Sequence, residues 1–256
     1  MKLGGSVFVS ALLLPILLLL GCGHKQASAN VPPPPAPESK SSSAASSSAI
    51  DSDSARDEAA AADLAEPAIP LGTKPLTTEV GRASWYGPPY HNRRGSNGEI
   101  YNMHAMTAAH RTLPLGSIVR VTNVKTGHSA LVRITDRGPF IPGRILDLSL
   151  AAAKKVDVYL PGVAEVRMEV METPVPIESG GKWAVQIGGF TREREANEIA
   201  DHLQRRYRTA KVLRFSSPVG DWWVRVRVLN DDRKRAQQMV AETVTNQGAV
   251  FLVRLD

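Results

Sequence analysis

The sequence has a single cysteine, Cys22, in 256 residues. That excludes an internal disulfide and any metal site built on paired thiolates. Large apolar side chains are nearly missing from residues 24–79, which read VPPPPAPESKSSSAASSSAIDSDSARDEAAAADLAEPAIP over most of their length. Such a stretch cannot bury enough surface to offset the entropy of folding. A disordered tether is expected there, locally extended at Pro32–Pro35 and flexible in its serine tract. Aromatic residues make up only 5% of the chain. Acidic residues are in the minority after the tether. Lys and Arg against Asp and Glu number 4 to 8 in residues 24–79, 12 to 7 in residues 80–172 and 14 to 9 in residues 180–256. Two basic segments therefore follow an acidic one, a balance suited to nucleic acid, an anionic membrane surface or an anionic polymer.

What is present at the N-terminus narrows that choice. MKLGGSVFVSALLLPILLLLGCG places Lys2 before an apolar run to Leu20 that is interrupted by Pro15, then small residues. This is the layout of a signal peptide, although the run approaches membrane-spanning length. The solitary Cys22 directly after Leu-Leu-Gly resembles the lipobox of bacterial lipoproteins, in which the cysteine is acylated and the preceding residues, here 1–21, are removed. Leu20 stands where a small residue is usual. Gly23 is not the aspartate that retains lipoproteins in the inner membrane. The resemblance thus implies a lipid anchor on Cys22 in the inner leaflet of an outer membrane, facing the periplasm, with residues 22–79 as anchor and linker. Nucleic acid is not expected as a partner in that compartment.

Residues 80–172 read as mostly β. GSIVRVTNV and SALVRITDRG alternate apolar and polar residues and flank Lys125-Thr126-Gly127, a hairpin signal. Ser149 is positioned to cap a short helix, LSLAAAKKV, and VAEVRMEV is a further strand. Short strands, Gly/Pro punctuation and one short helix predict a small closed barrel. Residues 173–179 begin a linker, TPVPIESGG. From 180 to 256 the order is strand, helix, strand, strand, helix, strand. KWAVQIGGF precedes a helical repeat of Ala196, Ile199, Ala200 and Leu203. AKVLRFS and WWVRVRV join through Pro218-Val219-Gly220. Ala236, Met239, Val240 and Val244 mark a second helix stopped by Gly248, and AVFLVRL closes the segment. This βαββαβ order predicts a ferredoxin-like fold.

Several residues could carry chemistry. Glu99 follows the turn pair Asn97-Gly98. It is either a solvated turn residue or a general acid of the kind glycosidic cleavage requires. Asp136 ends an alternating strand beside Gly138-Pro139, and is either an Asx-turn or ion-pair residue or a group displayed at a barrel rim. Asp147 precedes the helix cap and reads equally as structural or groove-lining. Trp85 and Tyr86 lie on opposite faces of a strand, so at most one faces a groove. His91, His104 and His110 are irregularly spaced and have no cysteine partners, so no metal site is expected and no cofactor is implied. In the last segment, period-two alternation puts Trp183, Val185 and Ile187, and Val224, Val226 and Val228, under the helices. Gln186, Trp223, Arg225 and Arg227 then point to the open face of the sheet, an aromatic plane beside hydrogen-bond donors that suits a sugar chain.

ASWYGPPYHNRRGSNGE, MTAAHRTLPLG, VRITDRGPF and RILDLSLAAAKK together resemble the rare lipoprotein A (RlpA) family of septal lytic transglycosylases, over about Gly81 to Val170. The usual Thr-Ala-Asn-Gly-Glu of that family is replaced by Gly95-Ser96-Asn97-Gly98-Glu99. The resemblance implies a six-stranded double-psi β-barrel with Glu99, His110 and Asp136 as catalytic residues and Tyr86 and Asp147 in the substrate groove. It implies endolytic cleavage of the MurNAc–GlcNAc bond in glycan strands stripped of stem peptides. The muramic C6 hydroxyl attacks its own C1, so one carboxyl group serves as acid and then base. Ala-Ser-Trp-Tyr-Gly and Leu-Asp-Leu-Ser also resemble expansins, which loosen polysaccharide without cutting it. Binding without cleavage is therefore the alternative, and a two-carboxylate hydrolase using Glu99 and Asp136 a third reading. Residues 181–256 resemble SPOR domains, which bind peptide-free peptidoglycan at division sites. That implies septal enrichment, with contacts to other division proteins open. The aromatic signature of RNA-binding domains with this topology is absent.

Overall fold

A computed structural model describes residues 64–208, 211–245 and 248–256, all within one compact unit. The signal peptide, Cys22 and nearly all of the tether lie outside the described residues. Among those described, no helix is long and apolar enough to cross a membrane.

Six strands close into a barrel: β1 (Thr77–Trp85), β2 (Thr107–Ala109), β3 (Ile118–Asn123), β4 (Ser129–Asp136), β5 (Arg144–Leu148) and β6 (Val163–Glu172). Their order around the barrel is β1-β5-β2-β4-β3-β6, with parallel pairs β1–β5 and β2–β4. Alternation in β3 and β4 puts Val119, Val121, Val132 and Ile134 inside, each fully buried, while Arg120 and Arg133 turn outward. The β3–β4 hairpin is held by Asn123, whose Oδ1 accepts from the Lys125 and Thr126 amides (2.9 and 3.3 Å) and whose Nδ2 donates to Val156 O at 2.9 Å. Helix α1 (Leu150–Lys155) crosses one end of the barrel. Ser149 caps it, accepting from Ala152 N at 3.1 Å, and its own hydroxyl donates to Ala105 O at 2.6 Å. That reciprocal bonding satisfies a helix N-terminus in a buried place.

The last segment is β7 (Trp183–Phe190), α2 (Glu193–Arg206), β8 (Lys211–Ser216), β9 (Trp222–Arg227), α3 (Arg233–Glu242) and β10 (Ala249–Arg254). The four strands form an antiparallel sheet in the order β10-β7-β9-β8. Trp183, Val185, Ile187, Val224, Val226 and Val228 pack under the helices against Ala196, Ala200, Leu203, Ala236 and Met239. The architecture is thus the double-psi barrel followed by a ferredoxin-like domain.

Two expectations are corrected. Helix α3 ends at Glu242, and Val244 is 86% exposed instead of continuing its apolar stripe. Thr243-Val244-Thr245 is a β-branched run, which loses side-chain freedom in a helix and ends it well before Gly248. The second correction is larger. The sheet face away from the helices is only partly open, because the barrel packs over Trp223 and Gln186 while Leu213 and Arg227 stay exposed. Trp223 is 6% exposed and Gln186 1%. Phe140 of the barrel packs on Trp223 and Phe251, with ring centroids 5.4 and 5.7 Å apart. The amide of Arg254 donates to Arg111 O at 3.0 Å, and Asp256 O accepts from Leu115 N at 3.2 Å and from Arg137 Nη2 at 2.5 Å. The connecting segment is tied down too: Ile177 packs on the barrel core and Arg254 Nη1 donates to Pro176 O at 3.1 Å.

Candidate functional site

Glu99 sits in a tight turn. Gly98 takes φ = 88°, a backbone angle that disfavours any residue with a Cβ. The turn is closed by the bridge between Arg94 and Ile100 and by the Asn97 side chain, which accepts from Glu99 N at 3.0 Å and donates to Glu99 Oε2 at 2.6 Å. Arg133, on the outer face of β4, reaches the same carboxylate at 2.7 Å. Burial raises the Glu99 pKa, but the hydrogen bond and charge of Arg133 and the Asn97 amide outweigh it, and the net shift is downward. Glu99 is therefore ionised at neutral pH in the free chain, with its side chain half exposed.

Asp136 ends β4 where the strand leaves the barrel. Its Oδ1 accepts from Ser96 N (3.0 Å), Ser96 Oγ (2.5 Å) and Arg137 N (2.7 Å). Those bonds tie the Glu99 turn to the end of β4. Asp136 lines both the small hollow beneath Glu99 and a larger cleft of about 400 Å³. Asp147 lines that cleft from β5, opposite Ser84 of β1 in register. Ser84 Oγ donates to Asp147 Oδ1 at 2.5 Å, and Arg144 lies 3.7 Å from Oδ2. The Asp147 side chain is only 15% exposed. Burial raises its pKa against the opposing effects of Arg144, Ser84 and Arg111. Glu99 and Asp147, which line two hollows that share Asp136, are thus pushed in opposite directions by their surroundings, a pattern associated with acid–base sites.

His110 follows β2 and is buried. Its Nδ1 accepts from the Thr112 and Leu113 amides at 3.2 and 3.0 Å, which places the proton of the neutral ring on Nε2. Burial, then the charges of Arg111 and Arg137, drive its pKa down from 6.5 to about 3. Among the described residues His110 makes no hydrogen bond to a carboxylate. It orders the loop that follows it, and Arg137 does the same by donating to His110 O (3.1 Å) and Leu113 O (2.6 Å).

The aromatic residues sort as alternation requires. Trp85 packs on the barrel core and Tyr159, while Tyr86 lines the cleft and stacks on Tyr101, centroids 4.3 Å apart. Burial, then the charge of Asp136, raises the Tyr86 pKa well above its usual value, so the hydroxyl stays a donor. The sequence reading overlooked Tyr90 and Tyr101, although three of the chain's five tyrosines fall within residues 86–101. It also overlooked Arg144, Phe215 and Asp221, which line the same cleft from β5, β8 and the turn before β9. Gln186, Trp223 and Arg225 reach the cleft from the C-terminal sheet, whereas exposed Arg227 does not and pairs with Asp231 at 3.1 Å. His91 and His104 pack edge to face at 5.9 Å, and among the described residues no group of three or more metal-ligating side chains converges. A larger hollow of about 980 Å³ beside Tyr159 and Leu160 shares no lining residue with the cleft.

A closed barrel displaying an aromatic, carboxylate-bearing cleft and followed by a ferredoxin-like sheet defines a two-domain class with counterparts among known proteins. Residues 78–168 match the lytic transglycolase family and residues 179–254 match the SPOR domain. The chain is 57% identical to the endolytic peptidoglycan transglycosylase RlpA of Vibrio cholerae over 99 residues, covering 39% of this chain and 38% of that protein. It is 42% identical to the Helicobacter pylori protein of the same name over 152 residues, covering 48% of each chain. It is 39% identical to the Campylobacter jejuni one over 168 residues, covering 56% of this chain and 61% of that one. The matches thus span between 38% and 61% of those relatives' lengths. The chain thus joins a barrel that matches the lytic transglycolase family to a SPOR domain, and it is similar to RlpA proteins over part of their lengths.

Proposed function

We propose that the chain is an endolytic lytic transglycosylase. It cuts the MurNAc–GlcNAc bond of peptide-free peptidoglycan strands and leaves 1,6-anhydro ends. It works in the cell envelope at the division septum, held by a lipid on Cys22 to the inner leaflet of the outer membrane and recruited there by glycan and by division proteins. The names of its relatives support the reaction. The observation that carries it here is the cleft itself, in which Asp147 and Asp136 face a ring-sized aromatic space that adjoins Glu99.

The surroundings of the carboxyl groups divide the labour. Asp147, buried and raised in pKa, supplies the proton to the leaving GlcNAc oxygen as the bond from C1 of MurNAc to that oxygen breaks. The muramic C6 hydroxyl forms the new bond to C1 and gives up its proton to Glu99, which is already ionised. Asp136, between the two, stabilises the positive charge that develops at C1. No water is consumed. In this assignment Glu99 acts as the base, since a carboxylate held ionised by Arg133 is a poor proton donor.

Mass spectrometry of digested peptide-free glycan tests the reaction. Anhydro-muramic ends are expected, and reducing ends would replace this reading with hydrolysis. The pH–rate profile tests the roles. The rate should fall at low pH as Glu99 protonates and at high pH as Asp147 ionises. Any residual activity of Asp147→Asn should lack the alkaline limb, and that of Glu99→Gln the acid limb; the opposite assignment would restore Glu99 as the acid. Non-catalytic glycan binding is the second reading, favoured by the half-exposed, ion-paired state of Glu99, and an absence of cleavage products would establish it.

A further inference from the structure

The cleft has two walls from two domains. Tyr90, Asp136 and Asp147 belong to the barrel, and Phe215, Asp221 and Arg225 to the SPOR sheet. The walls are held in register by the backbone bonds from Arg254 to Arg111 and from Leu115 to Asp256, and by Phe140 wedged against Trp223 and Phe251. The loop bearing His110, Arg111 and Leu115 connects the barrel side of the cleft to this interface. The SPOR sheet therefore forms the far side of the cleft.

Arg225 is the charged group this arrangement leaves unexplained. Gln186 Oε1 accepts from its Nε and Nη2 at 3.0 and 2.7 Å, and Phe215 lies under the guanidinium at 5.0 Å. These contacts fix its plane but do not neutralise it. Among the described residues no carboxylate lies within ion-pair distance, although Asp136 across the cleft is near enough to act on it electrostatically. A half-buried guanidinium held flat by a neutral amide and an aromatic ring suits bidentate capture of a ligand carboxylate. A muramic residue stripped of its peptide carries such a group, because its lactyl acid is free. A residue bearing a stem peptide has a neutral amide at that atom and a bulky chain attached, for which a two-walled cleft of about 400 Å³ leaves little room.

We propose that the glycan strand is gripped between the barrel and the SPOR sheet, and that Arg225 binds the free lactyl carboxylate, so that the gap between the domains reads the absence of the stem peptide. This rests on the proposed activity for its substrate and adds the specificity-determining residue and the second wall.

The test uses the full lipid-free chain, residues 23–256, and two soluble probes. One is peptide-free glycan. The other is the same glycan with its lactyl carboxylates converted to methylamides. Wild type should prefer the free acid by about tenfold in KM or Kd, the effect of one charge-assisted contact. Arg225→Gln should bind both probes equally. A purely structural loss would weaken both probes together and leave their ratio intact, which would overturn the proposal, as would a wild type that does not distinguish them. Amide hydrogen exchange with the free-acid strand should show protection in residues 86–101 and also in residues 215–227. Protection of one wall alone, or faster cleavage when Phe140→Ala loosens the interface, would overturn it by showing the sheet to be a cover. Because binding and exchange need no turnover, a chain that binds with this preference yet releases no anhydro ends refutes the activity and leaves the cleft assignment standing.

Discussion

His110 gives a sharp test of the structure, because its environment leaves no place for a charge. Its ring is buried, its Nδ1 is committed to two backbone amides, and Arg111 and Arg137 are both near. The folded-state pKa is lowered from 6.5 to about 3. A histidine whose folded pKa is depressed contributes stability that is present above its unfolded pKa and lost as pH falls. The loss should begin near pH 6.5 and be complete near pH 3. Each pKa unit corresponds to about 1.4 kcal/mol, so the full effect is at most on the order of 5 kcal/mol, an upper bound because local relaxation and water entry soften it. Carbon-13 labelling of the imidazoles and a titration by NMR would follow this residue directly, with the other five histidines as internal references. His110 should not titrate between pH 5 and 8. The variant His110→Asn keeps an acceptor close to the position of Nδ1 and should lose less stability at pH 7.5 than His110→Ala, which strands two amide donors at about 1–3 kcal/mol each. Its stability should also fall less steeply from pH 6.5 to 4. An imidazole titrating near 6.5, or equal pH slopes in wild type and His110→Asn, would refute the reasoning.

Three further outcomes follow from named contacts. Arg133→Met removes the guanidinium that keeps Glu99 ionised, so the Glu99 pKa should rise and the acid limb of the pH–rate profile move to higher pH; an unmoved limb would detach that limb from Glu99. Ser149→Ala removes the cap of α1 and the bond to Ala105 and should lower barrel stability by about 1–2 kcal/mol in a denaturant melt, whereas a change below about 0.5 kcal/mol would mean that water replaces both bonds. Cys22→Ser should abolish metabolic labelling with a fatty acid and release the protein from membranes, and label retained in the variant would refute the lipid-anchor reading.

Local chemistry was legible in the sequence wherever a physical rule acts over a few residues. Period-two alternation separated Val185, Ile187, Val224 and Val226 from Gln186, Trp223 and Arg225, because successive strand residues face opposite sides whatever lies there. Ser149 announced a helix start, and Asn97-Gly98 announced a turn, since both follow from side-chain and backbone geometry within four residues. The motif order from Gly81 to Val170 likewise carried the barrel and its carboxylates. Only the tertiary structure decided what those groups are. Whether Glu99 holds a proton depends on Arg133, 34 positions away on a neighbouring strand. Asp147, which read equally as structural or groove-lining, lines the cleft with its pKa raised because β1, β2 and the following loops close around it. The sheet face bearing Trp223 and Arg225 was expected to be open, since alternation distinguishes two sides of a sheet but carries no information about what packs on the second. That was settled by Phe140, Arg111 and Leu115 of another domain. Burial and through-space charge are properties of contacts between distant segments, and they are what turns a carboxylate or a guanidinium into an acid, a base or a ligand.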